Sequence, residues 1–320
     1  MAKKELTVGL GIDIGNAFTK TSTGIKFLSK VSNDYGKGYS NNCYDVAWND
    51  SKYLVGDIDG VSFTNSNKYD TEEYLVTLLT SIALSYIDEE SDVINAYIGL
   101  GIPVEEYEYL KEKCKKTALQ LNTQQITVNG VTKTINIEDV IVVPQSAIIA
   151  DKDIEDLPAL IFDFGGGTLD VSVWDINANG KIYKTYGKSY NEFGFDHVVD
   201  NFITMLRATR NMNIDYFNAL TLLDNPIIKS KVRAEIDITE ERDSLLINYL
   251  TKVKKILDKD NLPSYINSVY LCGGCGKILK DKLEDVFGYN KGSVQADKEP
   301  QLSNAMVYEL FAKELINEEE

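Results

Sequence analysis

One short phrase occurs twice in this chain, once in each half. Ile12-Asp13-Ile14-Gly15 and Phe162-Asp163-Phe164-Gly165 both read apolar, Asp, apolar, Gly. Each closes an apolar run, 6–12 and 159–162, and each precedes a second strand-like run, 17–23 and 169–175. The pattern predicts two hairpins whose tight turns follow a carboxylate at a strand end. Glycine at such a turn takes backbone conformations closed to other residues and lets N–H groups converge on phosphate oxygens. An aspartate just before it suits Mg2+, which prefers oxygen ligands and keeps much of its water. One Asp-x-Gly carries little information. Two in matching context, the second extended to Asp163-Phe164-Gly165-Gly166-Gly167-Thr168, predict two related halves that grip a polyphosphate. A third element, the apolar run 269–272 ending in Gly273-Gly274, suits a flat uncharged ring packed on backbone, although alone it reads as a turn.

The rest of the chain reads as α/β. Leu75, Leu78, Leu79, Ile82 and Tyr86 recur at helical spacing over 72–87. A strand over 93–100 leads to Pro103, near the start of a helix that reaches Leu121 with Tyr107, Leu110, Cys114 and Ala118 on its stripe. Asn129-Gly130 joins strands at 125–128 and 131–137. A further strand, 139–143, precedes Pro144-Gln145 and a short helix. The segment 32–70, rich in Gly, Asn, Ser, Tyr and Asp, is expected to be a small exposed subdomain with short strands at 44–48 and 52–55. Its tyrosines, Tyr35, Tyr39, Tyr44 and Tyr53, read either as contact surface or as scattered packing. The acidic stretch 151–158 marks a boundary. Beyond it, helices are expected at 196–210, 214–223, 226–235 and 240–258, a strand at 268–272, and helices at 276–287 and 304–316. The last is expected to place Val307, Leu310, Phe311 and Leu315 on one side and to fray at its acidic end. The expected domains are 1–155, 156–302 with a helical subdomain about 196–262, and a C-terminal helix, 303–320, packed back on the first domain.

Lys plus Arg is 33 against 49 Asp plus Glu, a formal charge of −16. That argues against direct binding to nucleic acid, which needs a basic surface. Apolar stretches such as 75–83 fall short of the ~20 residues of a membrane span, and MAKKELTVGLGI carries no signal-peptide pattern. A cytoplasmic protein with free thiols, and no membrane partner, is expected. Cys272-Gly273-Gly274-Cys275 is formally a CxxC. A zinc site needs two more ligands, and the single histidine, His197, is remote in sequence. Fortuitous spacing is the favoured reading over a redox or metal role.

In this order the motifs resemble those of the actin-like ATPases, the superfamily of actin, the bacterial actin homologues and the seventy-kilodalton heat-shock chaperones. The resemblance covers nearly the whole chain. Asp13 to Lys20 resembles the first phosphate motif, and Gln145 with Ala147 the first connecting segment. Asp163 to Asp170 resembles the second phosphate motif, Gly194-Phe195-Asp196 the second connecting segment, and Gly273-Gly274 the adenosine motif. The stretch 93–104, with Gly99-Leu100-Gly101-Ile102-Pro103, resembles the one before the connecting region. The resemblance implies an actin-like fold of two ribonuclease-H-like domains, each subdivided, around a nucleotide cleft. It implies that Asp13 and Asp163 orient Mg2+ and ATP, with GTP as the alternative nucleotide. Amides around Gly15, Asn16 and Ala17, and around Gly165, Gly166, Gly167 and Thr168, would cradle phosphates, with Lys20 in contact. Gln145 and Asp170 would position the attacking water; phosphoryl transfer rests on positioning and electrostatics, so an amide suffices. Gly194, Gly273 and Gly274 would border the nucleotide, and Lys277 would stack on the base or reach the ribose. From the residues alone, other readings stay open: Lys20 as a solvated strand-end lysine, Gln145 as a polar helix start, Asp170 as an outward strand aspartate, Lys277 as a surface lysine. His197 reads as structural or exposed.

Within the superfamily, a length of 320 residues is expected to leave no room for a chaperone's substrate domain. Sugar kinases carry extra segments and a catalytic aspartate with no counterpart found here, and membrane-attached actins carry an amphipathic helix or hydrophobic loop that is not evident. The chain is most similar to the bacterial plasmid-segregation actins of ParM type. That similarity implies an ATPase whose filaments push plasmid copies apart, with hydrolysis coupled to polymer turnover. It also implies a DNA-binding adaptor of ParR type. The alternatives are a non-polymerising small-molecule kinase or nucleotidase of the same fold, and a nucleotide-binding cytoskeletal scaffold with little hydrolysis.

Overall fold

The first apolar run forms β1 (Glu5–Ile14), which turns at Gly15 and pairs antiparallel with β2 (Phe18–Thr21). The computed structural model describes residues 4–33, 43–57, 59–62, 68–145, 147, 156–229, 234–263 and 265–319. The chain divides into two compact units, Met1–Lys152 with Gln301–Glu320, and Asp153–Pro300.

In the first unit the hairpin is followed by β3 (Lys26–Leu28), β4 (Lys30–Ser32), β5 (Tyr44–Trp48), β6 (Ser51–Val55), β7 (Val61–Ser62) and α1 (Glu72–Ser85). Then come β8 (Val93–Ile102), α2 (Tyr107–Gln120), β9 (Thr123–Val128) and β10 (Val131–Pro144). The strands form one sheet in the order β3-β2-β1-β8-β10-β9-β5-β6-β4-β7. Thr71 caps α1 by accepting the N–H of Tyr74 at 3.3 Å, and Glu72 and Glu73 complement the helix dipole. Asn129 and Gly130 both take positive φ, as the β9–β10 turn requires. The two strands expected at 131–137 and 139–143 are one, interrupted by a bulge between Ile137 and Asp139.

Successive strand residues face opposite ways, and β1 and β8 use this to build two different faces. Leu10, Ile12, Ile98 and Leu100 join Val76, Leu79 and Ile82 of α1 in the apolar core. The alternate positions are Gly9, Gly11, Gly99 and Gly101, and the C-terminal helix (Ser303–Glu319) lies against them. Gly11 and Gly99 are register partners. A Cβ on Gly11 would stand 1.8 Å from the Ala305 carbonyl oxygen, and one on Gly99 2.1 Å from that of Tyr308. The helix therefore buries Ala305, Val307, Tyr308 and Ala312, whereas Leu310 is exposed; the apolar side expected from the large residues is only partly the packed one. The helix also continues to Glu319, past the point where fraying was expected.

The described parts of 32–70 are not peripheral. β5 pairs with β9, and Val46, Trp48, Tyr53 and Val55 lie in the core of the unit. The Tyr53 hydroxyl donates to Glu72 at 2.5 Å, fastening β6 to α1. Tyr35 and Tyr39, the short helix after Gln145 and most of the acidic boundary lie outside the described residues.

The second unit contains β11 (Ala159–Phe164), β12 (Leu169–Ile176), β13 (Ile182–Tyr190), α3 (Asp196–Arg210) and α4 (Tyr216–Asp224). It continues with β14 (Ile227–Ile228), β15 (Ile236–Asp237), α5 (Thr239–Lys259), β16 (Ser268–Cys272), α6 (Gly276–Phe287) and β17 (Val294–Ala296). Its main sheet runs β13-β12-β11-β16-β17. Phe162 and Phe164 stack and pack with Phe202, Leu250 and Leu279 of the surrounding helices. The helix expected at 226–235 is not present in its described part. Ile227 and Ile228 pair instead with Asp237 and Ile236, and the Pro226 carbonyl accepts the Ile238 N–H. β-Branched isoleucines after a proline favour this extended pairing.

Candidate functional site

In the first unit the apolar alternation of β1 places Asp13 on the glycine side of the strand, where it is only 3% exposed. Lys20 is its partner across the hairpin, and the ammonium donates to Asp13 Oδ2 at 2.7 Å. Lys20 is thus a paired group and not a solvated strand end. The Gly15 N–H donates to the Phe18 carbonyl at 3.2 Å and closes the turn. A side chain on Gly15 would begin 3.0 Å from that same carbonyl oxygen. Asn16 and Ala17 complete the turn. Gln145 follows β10 half-buried, its N–H donating to the Ile102 carbonyl at 2.7 Å, and Ala147 beyond it is buried.

A residue that sequence reasoning missed completes this turn. Lys68 sits in a single 3-10 turn, Lys68–Asp70, and is 6% exposed. Its ammonium donates to the Ile14 carbonyl at 2.9 Å and to Asn16 Oδ1 at 3.4 Å. The Tyr69 ring lies under the same ammonium at 5.5 Å. Burial raises the carboxyl of Glu106, at the start of α2, above its ordinary value, and the charge of Lys68 opposes that rise.

The second unit repeats the first turn closely. Asp163 faces Asp170 across β11 and β12, and the Gly165 N–H donates to the Thr168 carbonyl at 3.0 Å. A Cβ on Gly165 would again lie 3.0 Å from that oxygen. Asp170 stands where the first hairpin has Lys20. It is buried, accepting from Thr168 Oγ1 at 3.1 Å and from the Ser189 hydroxyl of β13, so it does not face outward. The Phe195 and Asp196 N–H groups donate to the carbonyls of Gly165 and Gly166, each at 2.9 Å. Gly194 makes this possible, because a Cβ there would lie 2.3 Å from the Gly166 oxygen. Asp196, which opens α3, accepts from the Tyr216 hydroxyl at 2.6 Å; burial, then that carboxylate, pushes the hydroxyl pKa upward. Gly273 has φ +81, and a Cβ on it would meet the Phe164 carbonyl oxygen at 2.4 Å and Asp163 Oδ1 at 2.7 Å. Three glycine segments therefore converge at the end of β11. Gly274, Lys277 and His197 are exposed. Cys272 and Cys275 are buried, and among the described residues no cluster of three or more His, Cys, Asp or Glu could hold a metal.

This chemistry fits Mg2+ and a polyphosphate. Each turn offers a buried strand-end aspartate beside a glycine cradle, the second with Asp170 opposite, rather than an all-protein cage, and Mg2+ characteristically takes one or two carboxylates, several waters and phosphate oxygens. Among the described residues, no helix is long and apolar enough to cross a membrane.

Comparison with known proteins gives these turns a family. Residues 11–147 match the family described as actin like proteins N terminal domain. The archaeal actin homologue Ta0583 is 19% identical with a TM-score of 0.77, covering 96% of this chain and 99% of that one; it is also known in complex with ADP. The mitochondrial iron-sulfur cluster biogenesis chaperone of Saccharomyces cerevisiae is 24% identical over 287 residues, 75% of this chain. The chain spans 41% of that relative's length. The fold is the actin-like ATPase fold, and the chain belongs to the actin-like family. Residues 153–309 match the family described as plasmid segregation protein ParM, C-terminal. The subunit of a 15-stranded ParM filament from Clostridium botulinum is 18% identical with a TM-score of 0.73, covering 97% of this chain and 99% of that one. Within the family, the chain is related to the ParM-type plasmid actins.

Proposed function

We propose that this chain is a Mg2+-dependent ATPase, with GTP as the alternative nucleotide, that assembles with copies of itself into cytoplasmic filaments and drives plasmid DNA segregation. One observation carries the reading. The bonds Gly15 to Phe18 and Gly165 to Thr168 are the same bond at the same rung of two hairpins, each beside a buried strand-end aspartate. Backbone N–H groups of each turn bind phosphate oxygens, and Asp13 and Asp163 hold Mg2+ through its waters. When bound, Mg2+ neutralises phosphate charge as it develops. Gln145 and Asp170 orient the water, Gly194, Gly273 and Gly274 give backbone surface to the nucleotide, and Lys277 reaches its ribose or base. The ADP complex of Ta0583 and the ParM filament of Clostridium botulinum support nucleotide binding and self-association. With a charge of −16, the chain reaches DNA through an adaptor of ParR type, and assembly improves with salt or Mg2+, which screen self-repulsion.

The test mixes purified protein with Mg-ATP over a range of salt and follows light scattering, sedimentation and phosphate release together. Scattering, a pellet and phosphate are expected. Absence of scattering and pellet at every salt concentration removes the filament reading. Scattering without phosphate leaves a scaffold. Asp163→Ala is expected to abolish phosphate release, and a fully active variant overturns the metal assignment.

A further inference from the structure

We propose that Lys68 is a positioning residue for the first glycine turn, setting the affinity of that turn for nucleotide phosphate; the proposal rests on the nucleotide reading above. Lysine is almost never buried without a specific partner, and this one grips both flanks of Gly15. Its ammonium holds the carbonyl just before the glycine, on Ile14, and the side chain just after it, on Asn16. The charge it brings is additional to the Asp13–Lys20 pair, which already contains one carboxylate and one ammonium. The ammonium, which also acts on the Glu106 carboxyl, thus brings a fixed positive group to the turn that receives the phosphate, in a desolvated setting where such a group counts for more than in water.

The second turn is fastened differently. There, the carbonyls of Gly165 and Gly166 are held by the N–H groups of Phe195 and Asp196. The first turn is clasped by a side chain, at Ile14 and Asn16, and the second by backbone, at Gly165 and Gly166. The clasp is also set in place beforehand. The Lys68 carbonyl accepts the N–H of Thr71 at 3.1 Å and its hydroxyl at 2.9 Å, and Thr71 caps α1. Asp70, at the other end of the same 3-10 turn, pairs with Lys113 of α2 at 2.9 Å. Lys68 thus reaches the turn from a segment that two helices fix, and little ordering is left for the moment of binding.

The experiment titrates Mg-ADP into the full chain by calorimetry, for the wild type, Lys68→Met, Lys68→Arg, Asn16→Ala and the double variant Asn16→Ala/Lys68→Met. Lys68→Met is expected to weaken binding roughly tenfold, as loss of a charge-assisted hydrogen bond implies, while keeping a cooperative thermal transition. Its KM for ATP should rise by more than its kcat falls, and Lys68→Arg should recover part of the affinity. Because Lys68 and Asn16 act on one turn, the double variant should lose less than the two single losses combined. Wild-type affinity in Lys68→Met, or full additivity, overturns the proposal. If Lys68→Met does not fold, Asn16→Ala decides, and unchanged affinity there overturns it. A wild type that binds no Mg-ADP overturns the nucleotide reading together with the proposal, whereas equal binding by wild type and Lys68→Met removes the proposal alone.

Discussion

Asp13 and Lys20 face each other across the β1–β2 hairpin and share a 2.7 Å ion pair, whereas at the matching rung of β11–β12 Asp163 faces Asp170. The two hairpins repeat in backbone and differ in charge. In the first, the pair is largely desolvated, the Lys20 side chain 13% and the Asp13 side chain 5% exposed. Removing one partner of such a pair leaves the other buried and uncompensated. Lys20→Met is therefore expected to cost about 3 kcal/mol in urea unfolding, the low end for a buried pair that is slightly exposed. An unchanged midpoint would mean that the pair contributes nothing to the fold.

Asp170 works twice in the proposed reading, once as an anchor for Thr168 and Ser189 and once toward water. The two roles separate by substitution. Ser189→Ala removes one hydrogen bond and should cost about 1 kcal/mol with phosphate release near that of the wild type. Asp170→Asn keeps one acceptor oxygen but loses the charge, so it should fold and fail to release phosphate. Equal loss of phosphate release in both variants would assign the effect to the anchor.

The glycine side of β1 and β8 makes a sharp stability prediction. Gly11→Ala forces a methyl to 1.8 Å from a helix carbonyl oxygen, so helix and sheet must separate. A loss of about 3 kcal/mol or more is expected. Gly24 has φ +91 and open space where a Cβ would stand, so Gly24→Ala tests backbone strain alone, about 1–2 kcal/mol. Comparable denaturant midpoints for the two variants would contradict the close packing of the C-terminal helix.

Acid should weaken the second unit through Glu284. This buried carboxylate accepts backbone N–H bonds from Gly292 and Val294, which hold its pKa below the ordinary glutamate value. A depressed carboxyl contributes stability that is present above the unfolded value, near pH ~4.3, and is lost as pH falls through the lower folded value. Glu284→Gln should therefore lower stability at neutral pH and flatten its fall on acidification. A parallel acid limb in variant and wild type would remove Glu284 as the cause.

Thiol labelling reads the same burial independently. Cys43 is partly exposed, whereas Cys114, Cys272 and Cys275 are buried, and burial pushes the Cys114 thiol up to about 11. Since the thiolate is the reactive form, alkylation near pH ~8 should modify Cys43 first and the other three only on unfolding. Rapid labelling of Cys272 and Cys275 would revive a redox role for their spacing.

The hairpins were legible because Asp-x-Gly and Asn-Gly dictate local backbone on their own, and long helices such as α3 and α5 because their apolar spacing is sustained. β13 escaped because exposed Tyr183 and Thr185 alternate with half-buried Lys184 and Tyr186, with no apolar face to mark a strand. The helix at 226–235 was misread because the adjacent Ile227 and Ile228 do not by themselves distinguish strand from helix over so short a span. The packed side of the C-terminal helix was misjudged for a physical reason: facing glycines bring backbones so close that small residues and Tyr308, not Leu310, fill the contact. Lys68 carried no signal, since it lies in a polar stretch and finds Ile14 and Asn16 only through the fold.

The second unit is one uninterrupted segment, but the first is closed by Gln301–Glu320. A ribosome reading from the N-terminus therefore delivers all of the second unit before it delivers the helix that covers Gly9, Gly11, Gly99 and Gly101. During that interval the central strands of the first unit stand bare on one side, open to solvent and to chaperones. The half that is made first is the half that is finished last.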